Sequence, residues 1–347
     1  MKLLFITQKI NKNDDDLAFV ILWIKEFIKQ GIEISVICLE KRDFDDSFPV
    51  YSLGKESGFG KMHRILTFFK YIFTLKYDAV FVHMNPIYVV LGGLLWRVLG
   101  KKIGLWYVHR SKTVSLWVAE KLVDIIFTST KESFMIATNK SIYLGHGIDV
   151  ESCTRPALYQ EKRNECTLLC VGRLTPIKDQ ETIIRACGIL AREGVDVICT
   201  FIGGPAMASD HTYIRKLQSL VESEGIKNKI FFKGGVAQKD LFPYYWKSAI
   251  HINACPTGGL DKVVIEGMAG GAIPLVANEA FRDIIGEYAE RLIFSEKNAE
   301  SLAKHIKDIL GSGDKEKIRR ILEKKVHDSF DLSILITKIL HKYEASR

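Results

Sequence analysis

Short apolar runs rich in β-branched residues alternate with longer helical stretches, and this alternation restricts the fold more than any other feature of the chain. In the first half, the predicted strands are KLLFITQ, IEISVICLE, AVFVHM, KIGLWYVH and DIIFTST, and DLAFVILWIKEFIKQG predicts a helix that ends at Gly31. A second series comprises CTLLCVGRL, VDVICTFIGG, KIFFKGG, AIHINAC and AIPLVA. Strands that alternate with helices form parallel sheets covered on both faces. The sequence therefore predicts two doubly wound α/β domains.

The boundary between the two domains is expected within residues 141–165, where the periodicity stops and Gly, Pro and charged residues collect. We predict an N-terminal Rossmann-like domain over residues 1–155 and a C-terminal one over residues 156–330. A last helix, at about residues 331–347, is expected to pack back on the first domain. Ligands of doubly wound sheets bind outside the carboxyl ends of the strands, so two such domains facing one another would form a central cleft.

Composition excludes several classes of protein. With 347 residues, 47% of them hydrophobic and 26% charged, the chain has the composition of a folded protein. Its seven cysteines lie mostly in apolar strand-like runs, which favours a reducing, cytoplasmic compartment over a disulfide framework. Cys166 and Cys170 have no second pair nearby, so buried strand positions are favoured over a metal site. The longest apolar stretch, IYVVLGGLLW, is shorter than the roughly 20 residues of a membrane span.

Charge suggests what the protein binds. The formal net charge of +8 favours acidic partners, which include phosphates, anionic lipid and nucleic acid. In VGRLTPIKDQETIIRA, Arg173 and Lys178 follow a predicted strand, with a helix expected to begin near Lys178. A guanidinium fork and an ammonium in this position are suited to one diphosphate. The alternative is that both are solvated surface cations.

A second loop of the same domain, PTGGLDKVVIEGMAGG, follows a later strand. Its glycines permit close backbone approach, and the helix after them offers unpaired N–H groups to an anion. Glu266 is expected about two turns into that helix, inside an otherwise apolar run. A carboxylate there is suited to accept hydrogen bonds from a pair of ribose hydroxyls.

These segments carry a resemblance to a known family. In order and spacing, VGRLTPIKDQ, FIGG, FKGGV and PTGGLDKVVIEGMAGGAIPLVA resemble the carboxyl-terminal domain of the retaining nucleotide-sugar glycosyltransferases of the GT-B fold, glycosyltransferase family 4 (group 1). The resemblance covers nearly the whole chain and is strong over residues 171–286. It implies that Arg173 and Lys178 hold the donor diphosphate and that Glu266 holds the nucleotide ribose. The other donor-binding positions that we assign are Gly203, Gly204, Gly234, Gly258, Gly259, Leu260, Asp261 and Lys262.

The chain departs from this family at the donor sugar. The first Glu of the family's E-x(7)-E motif, which usually contacts that sugar, falls at Gly258, and a glycine often found three residues later is Asp261. Sugar recognition must then differ, or use Asp261 or Lys262. The alternative is that catalysis has been lost.

The N-terminal domain matches the family less closely. His109, at the end of a predicted strand, resembles the family's active-site histidine, and we assign it a catalytic role with Arg173 and Lys178. His83 ends another strand and is a candidate for the acceptor side. The loop QKINKNDDDL places three adjacent acids, which we expect to cap the following helix or to meet acceptor hydroxyls: Asp14, Asp15 and Asp16. A metal is not expected there, because neighbours in sequence point in different directions.

A basic, aromatic helix is predicted within GKMHRILTFFKYIFTLKYD, residues 60–78. It is either an ordinary covering helix or a surface that meets anionic lipid. Aromatic residues among cations also occur in RNA-binding proteins, but the sequence contains no nucleic-acid-binding module, and nucleic acid is not an expected partner.

The sequence thus predicts a retaining GT-B glycosyltransferase of the hexosyltransferase type. The expected donor is a UDP- or GDP-sugar, and the acceptor is a hydroxyl of a glycan or a lipid-linked molecule. No cofactor or metal is expected, because cationic side chains and a helix terminus neutralise the diphosphate. Two alternatives remain, a nucleotide-sugar epimerase of the same fold and a non-catalytic module that binds nucleotide or sugar.

Overall fold

The computed structural model describes residues 1–14, 17–205, 207, 210–256 and 259–344, with the side chain of residue 239 left out, and these form two compact units. The first unit comprises residues 1–147 and 332–347, and the second comprises residues 148–331. The last helix therefore belongs to the first unit.

The described part of the first unit contains a parallel sheet of seven strands. They are β1 (Lys2–Ile10), β2 (Glu33–Lys41), β3 (Val50–Ser52), β4 (Ala79–His83), β5 (Lys102–Trp106), β6 (Ile125–Thr128) and β7 (Ser141–Tyr143), in the spatial order β3-β2-β1-β4-β5-β6-β7. The five long strands predicted for this half of the chain are all present. The sequence did not predict β3 and β7, the two edge strands, which are only three residues long.

Helices cover both faces of this sheet. They are α1 (Phe19–Lys29), α2 (Lys61–Thr74), α3 (Pro86–Val98), α4 (Val114–Leu122) and the C-terminal α14 (Leu332–Glu344). Alternate residues of β1 point to opposite faces, where Phe5 packs with α1 and α14, and Ile6 packs with α2, α3 and α4. The predicted end of α1 is confirmed, because Gly31 has a φ of +83° and its N–H donates to the Ile28 carbonyl at 2.9 Å. The C-terminal helix is anchored by the Tyr343 hydroxyl, which donates to the Val80 carbonyl at 2.7 Å.

The described residues of the second unit contain a five-stranded parallel sheet. Its strands are β8 (Asn164–Val171), β9 (Ile198–Ile202), β10 (Ile230–Phe232), β11 (Ser248–Asn253) and β12 (Ile273–Val276), in the spatial order β10-β9-β8-β11-β12. The helices around it are α5 (Val150–Cys153), α6 (Gln180–Arg192), α7 (Asp210–Ser223), α8 (Gln238–Lys247), α9 (Lys262–Ala269), α10 (Arg282–Ile285), α11 (Ala289–Leu292), α12 (Ala299–Leu310) and α13 (Lys315–Phe330). Each of the five strands predicted for this half is present.

The expected burial is confirmed for Cys170 on β8 but is wrong for Cys166, near the start of the same strand. All seven cysteines are free, and six of them are buried, while Cys166 is exposed. No helix within the described ranges is both long enough and apolar enough to cross a bilayer.

Candidate functional site

Strand order in the second unit locates the site. From β8 the chain winds outward in one direction to β9 and β10, and it then returns to add β11 and β12 on the other side of β8. The order of the strands therefore reverses between β8 and β11. Ligands of open parallel sheets bind outside the carboxyl ends of the strands at such a reversal. The loops that leave β8 and β11 there are residues 172–179 and 254–261.

Glycines bring the loops after β8, β9 and β10 into direct backbone contact. Gly203 has a φ of +138°, and a Cβ atom there would lie 2.0 Å from the carbonyl oxygen of Gly172, so only glycine fits. The N–H of Gly203 donates to the Gly234 carbonyl at 2.8 Å, and the N–H of Leu174 donates to the Gly204 carbonyl at 2.8 Å. The loops at the three strand ends are consequently joined to one another by backbone hydrogen bonds.

The loop after β8 is stabilised by a hydrogen bond from the first residue of α6. The buried amide of Gln180 donates from Nε2 to the Arg173 carbonyl at 2.9 Å. Asp179 adopts the left-handed conformation, with a φ of 48°, and α6 begins at the next residue, two residues later than the sequence predicted. The Arg173 side chain is exposed and has no hydrogen-bond or ion-pair partner among the described residues. Its guanidinium is thus available to an anion.

Lys178, in the loop after β8, forms an ion pair with Asp261, in the loop after β11. Its Nζ donates to Asp261 Oδ2 at 2.6 Å, and the Nδ2 atom of Asn253 donates to the same oxygen at 2.8 Å. Asn253 is the last residue of β11, and Asp261 is the residue immediately before α9. The structure therefore brings together the two loops that the sequence singled out, through a contact that the sequence did not predict.

The turn before α9 is fixed by its neighbours. Leu260 is buried, and the Asn278 side chain donates from Nδ2 to the Gly259 carbonyl at 3.3 Å. Asp261 does not cap the first turn of α9 with its side chain, and the N–H of Val264 donates to the Asp261 carbonyl at 3.1 Å. Gly258, where the expected acid of the family is replaced, lies outside the described residues.

Glu266 lies one turn into α9, not two as predicted, and it is buried rather than open to solvent, with 5% of its surface exposed. Gln238 Nε2 donates to its Oε1 at 3.2 Å, and the Tyr245 hydroxyl donates to its Oε2 at 3.4 Å. Burial raises the pKa of Glu266, and the positive charge of Lys262 opposes that rise. Burial in turn lowers the pKa of Lys262, which Glu266 opposes.

His251, on β11 beneath α9, was missed by the sequence analysis. It is fully buried, and neither ring nitrogen has a hydrogen-bond partner among the described residues. A Cβ atom on Gly267 would lie 2.7 Å from its Nδ1, so the helix passes directly over the ring. Burial lowers the pKa of His251 to about 3. The signal in the sequence was a pair of polar residues, His251 and Asn253, inside the apolar strand AIHINAC.

The remaining candidates belong to the first unit. His109 is exposed, and its Nδ1 accepts the N–H of Ser111 at 3.0 Å. His83 is buried beside the hydroxyl of Thr7, with 3.4 Å between Oγ1 and Nδ1, so its ring packs in the core instead of lining a surface. Asp14 accepts the N–H of Leu17 at 2.8 Å and so caps the turn before α1. Two further candidates, Asp15 and Asp16, lie outside the described residues.

Comparison with known proteins agrees with this geometry. The family model described as "Glycosyl transferases group 1" matches residues 157–326, which is most of the second unit. A relative from Mycobacterium tuberculosis (strain H37Rv), a GDP-mannose-dependent alpha-(1-6)-phosphatidylinositol monomannoside mannosyltransferase, is 25% identical over 176 residues, 46% of this chain and 44% of the relative. Spore coat protein SA of Bacillus subtilis (strain 168) is 24% identical over 200 residues, 54% of this chain and 52% of the relative. The chain thus spans about half the length of these relatives.

Solved structures resemble the whole chain. Anabaena Alr3699/HepE in complex with UDP has a TM-score of 0.77 at 14% identity, covering 99% of this chain and all of the other. Sucrose-phosphate synthase from Thermosynechococcus elongatus has a TM-score of 0.77 at 13% identity, covering 99% and 98% of the two chains. A glycosyltransferase from Rickettsia africae has a TM-score of 0.76 at 16% identity, with the same coverage. The two parallel-sheet domains therefore have the GT-B fold. Over residues 157–326, the second unit thus resembles the group 1 glycosyltransferases.

Proposed function

We propose that this chain transfers a sugar from a nucleotide diphosphate donor to an acceptor hydroxyl. The observation that carries the proposal is the convergence, at one reversal of strand order, of a tethered lysine, an uncapped helix N-terminus and a buried glutamate on that helix. Cations and helix N–H groups complement a diphosphate, and a carboxylate complements the two hydroxyls of a ribose. All three features lie in the segment that matches the glycosyltransferase family model.

The same groups account for the chemistry. When the bond between the sugar and the diphosphate breaks, negative charge grows on the leaving phosphate. On this proposal, Lys178, the exposed Arg173 and the N-terminus of α9 stabilise that charge. The glycine loops, whose backbones are in direct contact, are suited to the nucleotide base, and Glu266 is suited to the ribose.

We further propose that the anomeric configuration is retained. The two acids of the site already have other partners, since Asp261 binds Lys178 and Glu266 is buried beside Gln238 and Tyr245. On this proposal Glu266 binds the ribose, and Asp261, which Asn253 holds in place, accepts hydrogen bonds and does not attack the sugar. In a front-face displacement, the acceptor oxygen attacks the anomeric carbon on the side that the diphosphate leaves, and the acceptor proton passes to a phosphate oxygen. This route needs no covalent bond to the protein.

Donor and acceptor follow by analogy with the relatives. One of them is named for GDP-mannose and phosphatidylinositol monomannoside, and one neighbour was solved with UDP-glucose. We propose a UDP- or GDP-sugar donor and a hydroxyl of a glycan or of a lipid-linked acceptor.

The test is thermal stabilisation by UDP, GDP, ADP and their sugars. A ligand at 100 times its dissociation constant adds about 2.7 kcal/mol to the free energy of unfolding. The nucleotide that raises the melting temperature should do so less in a Lys178→Ala variant, whereas Lys229→Ala, which removes a cation paired with the exposed Asp196, serves as the matched control. If none of these nucleotides stabilises the protein, the proposal fails. Release of nucleoside diphosphate only when acceptor is present would separate transfer from epimerisation and from simple binding.

The first unit carries the features of a membrane-facing surface, and we propose an anionic membrane as its partner. Residues 59–121 contain ten Lys and Arg but only two acids, an excess of eight that equals the net charge of the whole chain. On α2, the side chains of Met62, Leu66 and Phe73 are 69%, 63% and 66% exposed. Exposed apolar residues also occur on α3 and α4, which cover the same sheet face, among them Leu94, Val98, Val114 and Trp117. Apolar side chains among unmatched cations suit an anionic lipid surface.

Sedimentation with vesicles tests this partner. The protein should bind vesicles that contain phosphatidylserine and not vesicles of phosphatidylcholine, and added salt should release it. The double variant Lys61→Glu and Lys70→Glu should lose binding, while the control Lys317→Glu and Lys324→Glu, at exposed positions on α13, should retain it. Equal binding by the two double variants would show that α2 is only a covering helix.

A further inference from the structure

Asp261 occupies the N-cap position of α9, but its side chain does not cap the helix. Aspartate at the residue before a helix usually accepts an N–H of the first turn with its carboxylate, which stabilises the helix by about 1 kcal/mol. Here the carboxylate turns away from α9, and its Oδ2 accepts from Lys178 and Asn253 instead. No described residue donates to the second oxygen, Oδ1. Among the described residues, the acid therefore has donors to one oxygen and none to the other.

Asn253 holds this carboxylate in place. The asparagine is buried at the end of β11, and its own Oδ1 accepts the N–H of Cys255 at 3.2 Å. That bond fixes which side of the amide faces Asp261, so that Nδ2 is the atom that donates. The orientation of the carboxylate is consequently set by the sheet and does not depend on Lys178.

The ion pair between Lys178 and Asp261 is one that another anion can replace. The two side chains are 18% and 31% exposed, so the pair is partly buried but still reached by solvent, and fully exposed pairs contribute only about 1 kcal/mol or less. A diphosphate brings more charge to the ammonium than a single carboxylate does. Once it takes over Lys178, the carboxylate and the phosphate repel each other, unless a hydrogen-bond donor lies between them.

We propose that Asp261 exchanges partners when the nucleotide sugar binds, giving up Lys178 to the diphosphate and accepting hydrogen bonds from hydroxyls of the transferred sugar. This inference rests on the proposed function. In a nucleotide sugar, the sugar is bonded directly to the diphosphate, so its hydroxyls are the donors nearest to a carboxylate that lies 2.6 Å from the phosphate-binding ammonium. Asp261 is then a sugar-recognition residue and Asn253 is its positioning residue.

The proposal predicts effects of opposite sign for two ligands. In Asp261→Asn, the nucleoside diphosphate alone should bind more tightly, by about fivefold, because a competing negative charge is gone and about 1 kcal/mol corresponds to that factor. The matching nucleotide sugar should bind at least tenfold more weakly relative to the diphosphate, because hydrogen bonds to a charged acceptor contribute about 1.5 to 3 kcal/mol. Asn253→Ala should also reduce the preference for the sugar, without the gain for the diphosphate.

Isothermal titration with the nucleotide found in the stabilisation screen, and with its sugar, measures both effects. Asp196→Asn, at an exposed acid paired with Lys229, is the control and should change neither affinity. If Asp261→Asn weakens both ligands equally, the acid only positions Lys178, and if it changes neither, the acid is outside the site; both results overturn the proposal. A wild-type protein that binds no nucleoside diphosphate would instead refute the proposed function itself. Should Asp261→Asn fail to fold, Asp261→Ser removes the same charge with a residue that caps helices well.

Discussion

Replacing Glu266 by glutamine tests the nucleotide position more directly than any other substitution. The side chain is 5% exposed and fixed between Gln238 and Tyr245, so a glutamine of nearly equal size can occupy the same space. Its amide oxygen can still accept from one of these two donors. The charge is lost, however, and with it a carboxylate that accepts from two ribose hydroxyls at once.

The size of the effect follows from the bonds that are lost. Hydrogen bonds to a charged acceptor contribute about 1.5 to 3 kcal/mol, which corresponds to roughly a 10- to 150-fold rise in the apparent donor KM. The ribose is remote from the bond that breaks, so its contacts are similar in the ground and transition states and kcat should change little. Glu266→Ala should act differently, because it leaves the buried Gln238 and Tyr245 donors without an acceptor. Each such group costs about 1 to 3 kcal/mol of folding stability.

Steady-state kinetics over a range of donor concentrations, together with the melting temperature of each variant, separates these outcomes. We expect Glu266→Gln to melt near the wild type with a raised donor KM, and Glu266→Ala to melt clearly lower. A Glu266→Gln variant that keeps the wild-type KM would refute the placement of the ribose. One that melts as low as Glu266→Ala would show that the charge stabilises the fold.

Three further predictions concern turnover, metal and pH. Lys178→Ala should lower kcat more than it raises the donor dissociation constant, since its attraction grows with the charge on the leaving group; an equal effect on both would contradict this. Transfer should persist in EDTA, because cationic groups neutralise the diphosphate, and activity that EDTA abolishes and magnesium or manganese restores would refute it. Burial lowers the pKa of His251 from 6.5 to about 3, so below pH 6.5 the unfolded chain takes up a proton that the folded protein does not. Stability should therefore fall by about 1.4 kcal/mol per pH unit from this residue as the pH drops toward 3, and urea unfolding should show a shallower pH dependence for His251→Leu but not for His63→Gln, at an exposed histidine.

The fold was predictable because its long strands are buried, and each is visible in the sequence as a run of apolar residues. All ten predicted strands are present, whereas β3 and β7, at the edges of the first sheet, are three residues long and show no alternation. Pairing with a neighbour defines such strands, and a local pattern cannot reveal it. The polar loops after β8 and β11 were predictable for a related reason, since charged residues directly after a buried strand mark its carboxyl end.

The contacts inside the site were not predictable, because they join segments distant in sequence. Glu266 is buried only because α8 brings Gln238 and Tyr245 to it from more than twenty residues away. Lys178 and Asp261 are 83 residues apart, and their pairing depends on the adjacency of β8 and β11. The sequence identified which residues carry charge, but the sheet topology decides which of those charges meet.

The cations of the proposed nucleotide site and those of the proposed membrane surface differ in their surroundings. In the second unit, two cations of the site lie beside acids, Lys178 with Asp261 and Lys262 with Glu266, while Arg173 is exposed. A diphosphate that binds Lys178 must therefore replace a partly buried partner. Among the described residues of the first unit, one of the ten cations in residues 59–121 forms an ion pair, Lys121 with Glu120. Salt screens exposed charges far more than buried ones. Raising the ionic strength should therefore weaken vesicle binding steeply while nucleotide binding, followed in the same buffers, changes much less. Equal sensitivity of the two would place the uncompensated charge at the nucleotide site instead.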